Sequence, residues 1–205
     1  MIQHGYPSSE DDGFGEELDD EDESEKITAL LFTGSLTKLG HRDFRPGQLD
    51  ALLALSKGHD VNLQLSTGSG KSLVHQIFSN SNKGIGLVFV PTVGIIEDQL
   101  KKLEGKISAV GLRDDWQDYA NSIVSKKFKI LYMTPEWLIT KDGLFSDRKI
   151  EFLKLVTSKA GFNLITIDEA HLLGEWSTRI LGSASLVSIS CCLLLSSRFF
   201  PSCLR

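Results

Sequence analysis

"VNLQLSTGSGKS", residues 61–72, decides the architecture. Val61 to Leu65 form a short apolar run of strand length, and the following residues, Ser66 to Ser72, read as a tight turn opening into a helix. Gly68 and Gly70 let the backbone curl so that successive N–H groups point at phosphate oxygens. Lys71 is placed to reach the β- and γ-phosphates of a nucleotide, and the Ser72 hydroxyl to ligate Mg²⁺. The helix that follows adds the positive end of its dipole. Thr67, Gly68, Ser69, Gly70, Lys71 and Ser72 are therefore the candidate phosphate contacts. The strict phosphate-loop pattern asks for Gly five positions before Gly70, where this chain has Leu65. Taken alone, the stretch also fits a plain Gly/Ser turn between strand and helix.

Further apolar runs of strand length occur at "GLVFV" (86–90), "KILYM" (129–133) and "NLITI" (163–167). Helix-length segments separate them, among them "GIIEDQLKKLEG" (94–105) and "RKIEFLKLVTSK" (148–159). Upstream, "FRPGQLDALLALSKG" (44–58) puts Pro46 near a helix start and Gly58 past its end, with leucines at helical spacing. Strand alternating with helix implies buried parallel strands joined by crossover helices. The expected architecture is one doubly wound α/β domain over residues 27–176, with a parallel sheet.

In such a sheet, ligands bind at the carboxyl ends of the strands. "NLITIDEAH" (163–171) delivers Asp168 and Glu169 to that edge. Asp168 suits Mg²⁺, directly or through water, and Glu169 suits orienting and activating the water that attacks a γ-phosphate. An isolated Asp-Glu pair is an ordinary solvated turn. With "GSGKS" about a hundred residues upstream, the pair points to an ATPase.

Several stretches together resemble the RecQ-like DNA helicases of helicase superfamily 2, with their DEAH box. "LGHRDFRPGQLDAL" (39–52) is similar to their motif zero, and "LQLSTGSGKSLVHQ" (63–76) to motif I, which tolerates the missing first glycine. "VFVPTVGIIEDQL" (88–100) resembles motif Ia, "ILYMTPEWL" (130–138) a segment before motif II, and "IDEAHLLGEW" (167–176) motif II itself. The resemblance implies a RecA-like lobe, the first of two, that binds ATP with Mg²⁺. It also implies ATP hydrolysis coupled to 3'-5' unwinding of DNA, single-stranded or as a tailed duplex. By the same resemblance Gln48 reads the adenine edge, Arg45 lies nearby and His41 packs against the base. Pro91 and Thr92 lie on the DNA-backbone path, His171 couples nucleotide state to DNA, and Trp176 begins a loop that stacks on single strands. A nuclear place and a part in DNA repair and recombination are implied likewise.

Composition agrees with a polyanionic partner. Of the 27 acidic residues, 11 fall in "EDDGFGEELDDEDESE" (10–25), leaving 16 against 22 basic residues elsewhere. Residues 1–26 read as a disordered acidic tail. Cys191, Cys192 and Cys203 all lie near the end, so a cysteine zinc site or disulfide framework is not expected in the first 190 residues. Neither a signal peptide nor a membrane span is expected; "LGSASLVSISCCLLLSS" (181–197) is uncharged but rich in serine.

After Trp176 the resemblance stops. "STRILGSASLVSISCCLLLSSRFFPSCLR" (177–205) lacks helical or strand periodicity and reads as a divergent, irregular tail in place of a second lobe. The second lobe would carry an arginine worth roughly 10³–10⁵ in rate. The expectation is thus a nucleotide-binding half that hydrolyses ATP poorly and does not unwind DNA alone. Two other readings stay open: a non-catalytic ATP- or nucleic-acid-binding fragment, and a small-molecule kinase, against which "FRPGQ" and the lack of a lid segment argue.

Overall fold

The computed structural model describes residues 17–66, 68–113, 116–125, 127–138, 145–169 and 191–196. In chain order these form α1 (Glu17–Lys38), α2 (Gln48–Ser56), β1 (Val61–Gln64), α3 (Lys71–Ser81), β2 (Ile85–Phe89), α4 (Val93–Leu103), β3 (Ala109–Gly111) and α5 (Trp116–Val124). β4 (Ile130–Met133), a single 3-10 turn (Pro135–Leu138), α6 (Asp147–Lys159), β5 (Phe162–Ile167) and β6 (Cys191–Ser196) complete it. The strand order is β1-β6-β5-β2-β4-β3.

β5, β2, β4 and β3 are mutually parallel, as the alternating pattern requires. β6 departs from the expected all-parallel sheet, because it runs antiparallel to both β1 and β5. Two reversals restore direction, so β1 and β5 point the same way. Their carboxyl ends, carrying the loop after Gln64 and the Asp168–Glu169 pair, come to one edge. β6 lies in the tail that sequence periodicity leaves without structure. An antiparallel insertion needs only a strand-length apolar run, here "CCLLLS", and no crossover helix.

Both faces of the sheet are covered, because successive strand residues point to opposite sides. Val88, Ile130, Tyr132 and Leu164 face one core with Leu36, Leu52, Val74, Ile77 and Ile96 from α1 to α4. Leu87, Leu131 and Met133 face the other, with Ile123, Phe152 and Val156 from α5 and α6. Phe162 and Leu164, two apart, should share a face, yet they enter different cores. A register shift explains it: Ile85 pairs with Phe162, but Gly86 already pairs with Leu164. This bulge turns Leu164 and Thr166 toward α3.

The helix over α2 forms where Pro46 and Gly58 place it, with Gly47 and Gly58 left-handed at φ 81° each. α1 takes in Glu17–Lys26, the end of the acidic stretch. Glu25 pairs with Lys57 at the end of α2, while Phe32, Leu36 and Leu39 of the α1 segment bury against the core. Residues 1–16 lie outside the described residues. Among the described residues no helix is long and apolar enough to cross a membrane.

Candidate functional site

The segment between β1 and α3 is built by its glycines. Gly68 and Gly70 adopt φ 77° and 87°, conformations a side chain disfavours. Ser69 closes the turn, donating its backbone N–H to Ser66 O at 3.1 Å and its hydroxyl to the same oxygen at 2.6 Å. Leu65 is not left-handed. Its half-buried side chain packs on the core beside Gly47, where a Cβ would lie 3.8 Å from Leu65 Cδ2. A glycine is therefore not required there, which accounts for the departure from the strict loop pattern. Thr67 lies outside the described residues.

A cavity of about 750 Å³ opens over this loop, lined by His41, Arg45, Gln48, Gly68, Gly70, Lys71, Ser72, Asp168 and Glu169. Residues predicted from three separate stretches are thus brought together. Pro91 and Thr92 are not in its lining. Thr92 caps α4 instead, its Oγ1 accepting from Ile95 N at 3.4 Å. His171 and Trp176 lie outside the described residues.

Lys71 is buried, with Nζ donating to Leu65 O at 2.9 Å and Ser66 O at 3.4 Å. Gln48 is 1% exposed and its amide is fully engaged. Its Oε1 accepts from Arg45 N at 2.9 Å, and its Nε2 donates to Ser69 O at 3.1 Å and Gly70 O at 3.0 Å. Arg45 Nη1 donates to Gly68 O at 2.7 Å. Gln48 therefore grips the phosphate loop here, and an adenine contact requires it to release loop carbonyls. His41 is exposed at the cavity rim.

On the facing side, Asp168 N donates to Phe89 O at 2.9 Å, continuing the sheet one residue past β5. Glu169 then turns into the left-handed region at φ 58°, the one non-glycine residue among those described to do so. Its N–H donates to Asp168 Oδ1 at 3.2 Å. Burial and the neighbouring Glu169 charge push the Asp168 carboxyl above the usual range, only partly offset by that N–H and by Lys71. A cation at this carboxylate would relieve that penalty. Among the described residues no three His, Cys, Asp or Glu side chains gather as a metal cage. A hydroxyl and one carboxylate, Ser72 and Asp168, are the donor set that suits Mg²⁺ held mainly by phosphate oxygens and water.

Sequence reasoning missed Gln76 and Gln99, which also line the cavity and are buried. The signal was present: Gln99 sits between Ile96 and Leu103, at helical spacing on the apolar face of α4. Lys101, Lys102 and Lys106 add positive charge at the same cavity.

Comparison with known proteins agrees with this geometry. The DEAD/DEAH box helicase family matches residues 45–196, a span that ends with β6. The ATP-dependent DNA helicase RecQ of Haemophilus influenzae is 31% identical over 159 residues, covering 74% of this chain and 24% of that protein. ATP-dependent DNA helicase Q-like 5 of Arabidopsis thaliana is 33% identical over 153 residues, 70% of this chain and 16% of its own length. The bifunctional 3'-5' exonuclease/ATP-dependent helicase WRN of Mus musculus is 30% identical over 192 residues, 86% of this chain and 13% of its own. The chain thus spans a quarter or less of each of these relatives. It belongs to the DEAD/DEAH box helicase family, as a RecQ-like member whose described residues build a first, RecA-like lobe.

Proposed function

We propose that the cavity binds Mg·ATP and that the lobe serves ATP-dependent unwinding of DNA. One observation carries the reading: Lys71 and Ser72, at the start of the helix after β1, meet Asp168 and Glu169 from the end of β5 across a single cavity. The loop amides and Lys71 hold the phosphates, exchanging carbonyl partners of the ammonium for phosphate oxygens. Ser72 and Asp168 would hold the metal, which would supply positive charge to offset that of the phosphates. Glu169 orients the attacking water. Gln48 and Arg45 tie the base side of the cavity to the loop, and His41 offers a surface for the base. Ser69, and Thr67 by the RecQ resemblance, are further phosphate contacts.

DNA as partner rests on the names of the relatives and on the basic remainder of the chain. Pro91 and Thr92, at the carboxyl edge after β2, belong to the backbone path, His171 to nucleotide coupling and Trp176 to single-strand stacking. Unwinding with 3'-5' polarity, and a nuclear part in repair or recombination, rest on the RecQ resemblance. Tested by themselves, these 205 residues hydrolyse ATP slowly and do not displace strands, because the described residues approach the phosphates from one lobe.

The test is Mg²⁺-dependent ATP hydrolysis by the purified chain, with and without single-stranded DNA, beside Glu169→Gln. Slow hydrolysis that disappears in Glu169→Gln while nucleotide binding persists supports the assignment. Hydrolysis untouched by that substitution removes Glu169 from its role. Binding without any hydrolysis makes the chain a non-catalytic nucleotide-binding module.

A further inference from the structure

Gln99 is 8% exposed on the apolar face of α4, an expensive place for an amide unless its polar atoms are used. Its Oε1 accepts from Gln76 Nε2 at 2.9 Å, and its Nε2 donates to Ser72 Oγ at 3.4 Å. On the same helix, His75 Nε2 lies 3.2 Å from the Tyr132 hydroxyl of β4. Gln76 and Gln99 thus form a buried polar row that links α3 to α4 and ends at Ser72, the metal-ligand candidate.

The row has a direction. The N–H of Gln76 demands the carbonyl oxygen of Gln99, which turns the Gln99 amino group toward Ser72. A serine hydroxyl has two lone pairs and one proton. Filling one lone pair from Gln99 leaves the other for a cation in the cavity. The contact is long, so its effect belongs at the low end of what one neutral hydrogen bond supplies.

We infer that Gln99 is a positioning residue for the nucleotide's metal: from α4 it orients Ser72 Oγ and so sets the Mg²⁺ requirement of the site. This rests on the Mg·ATP reading of the cavity. Gln99 lines the cavity, and its contact toward the loop is with Ser72 Oγ, through which it acts. Because α4 begins at the Pro91–Thr92 turn, the metal ligand is thereby tied to an element that does not itself line the phosphate loop.

The experiment titrates Mg²⁺ into the full chain holding a fluorescent ATP analogue, for the unaltered protein, Gln99→Met, Ser72→Ala and the double variant. Gln99→Met should raise the Mg²⁺ concentration for half-maximal binding about threefold, and by no more than about tenfold. Binding in excess chelator should stay unchanged, and the substitution should add nothing in the Ser72→Ala background. Should Gln99→Met fail to fold, Gln99→Asn keeps an amide for Gln76, withdraws it from Ser72 and carries the same expectation. An unchanged Mg²⁺ requirement, while Ser72→Ala raises it, overturns the inference and leaves the site intact. Equal weakening with and without Mg²⁺, or an undiminished effect in the Ser72→Ala background, overturns it as a merely structural role. No nucleotide binding by the unaltered chain, or no effect of Ser72→Ala, overturns the reading of the cavity beneath it.

Discussion

His75 shows how one buried side chain ties pH to stability. Full burial on α3 drags its pKa from 6.5 down to about 3, so the folded chain holds it neutral where the unfolded chain protonates it. Stability is therefore complete above about pH 6.5 and falls as pH drops from there toward about 3, by about 1.4 kcal/mol per pH unit. His75→Gln stays neutral throughout and removes this slope. In urea unfolding, the unaltered chain should lose about 2–3 kcal/mol more than the variant between pH 6.5 and 4.5. Parallel curves would place the histidine in contact with solvent. Gln48 makes the companion case. Gln48→Ala removes the donors to Ser69 O and Gly70 O as well as any adenine contact. The variant should lose its preference for ATP over GTP and also about 1–2 kcal/mol of stability, both measurable on one preparation. Loss of base preference with unchanged stability would mean that the grip on the loop is not held in solution.

At the scale of elements, the position of α3 over the sheet governs the phosphate loop, because the helix starts at Lys71. It approaches β2 tightly at Gly86, where a Cβ would come within 2.7 Å of Ser79 Cβ and nearer still to its hydroxyl. Gly86→Ala must push α3 away from β2. A loss of about 1–3 kcal/mol in denaturant unfolding is expected, together with weaker nucleotide binding. A stable variant with unchanged binding would show that the loop is indifferent to this contact. The sequence announces α2 through its flanking Pro and Gly and its leucine spacing, α4 and α6 as helix-length segments, and β1, β2, β4 and β5 through apolar runs. It conceals β3, whose three residues are too short to show a pattern, and β6, whose serine-flanked run has no alternation. The bulge between Ile85 and Gly86 is equally silent, since it depends on how two strands meet. It nevertheless decides which residues of β5 face α3.

At the scale of the molecule, the site is a meeting of strand ends that are distant in sequence and adjacent in space. Lys71, Ser72, Asp168 and Glu169 were legible because loop chemistry and strand-end carboxylates have local signatures. Gln99 was not, because an amide on an apolar helix face gains meaning only from what it touches. The left-handed turn at Glu169 is likewise a property of the folded edge. Every role proposed for these residues depends on nucleotide binding. The decisive measurement is the affinity of the purified chain for a fluorescent ATP analogue with Mg²⁺, compared with Lys71→Ala at matched thermal stability. Loss of binding in a variant that unfolds at the same temperature is the expected result. Equal affinity in the two proteins would contradict the phosphate-loop assignment, and with it the metal, water and coupling roles built around it.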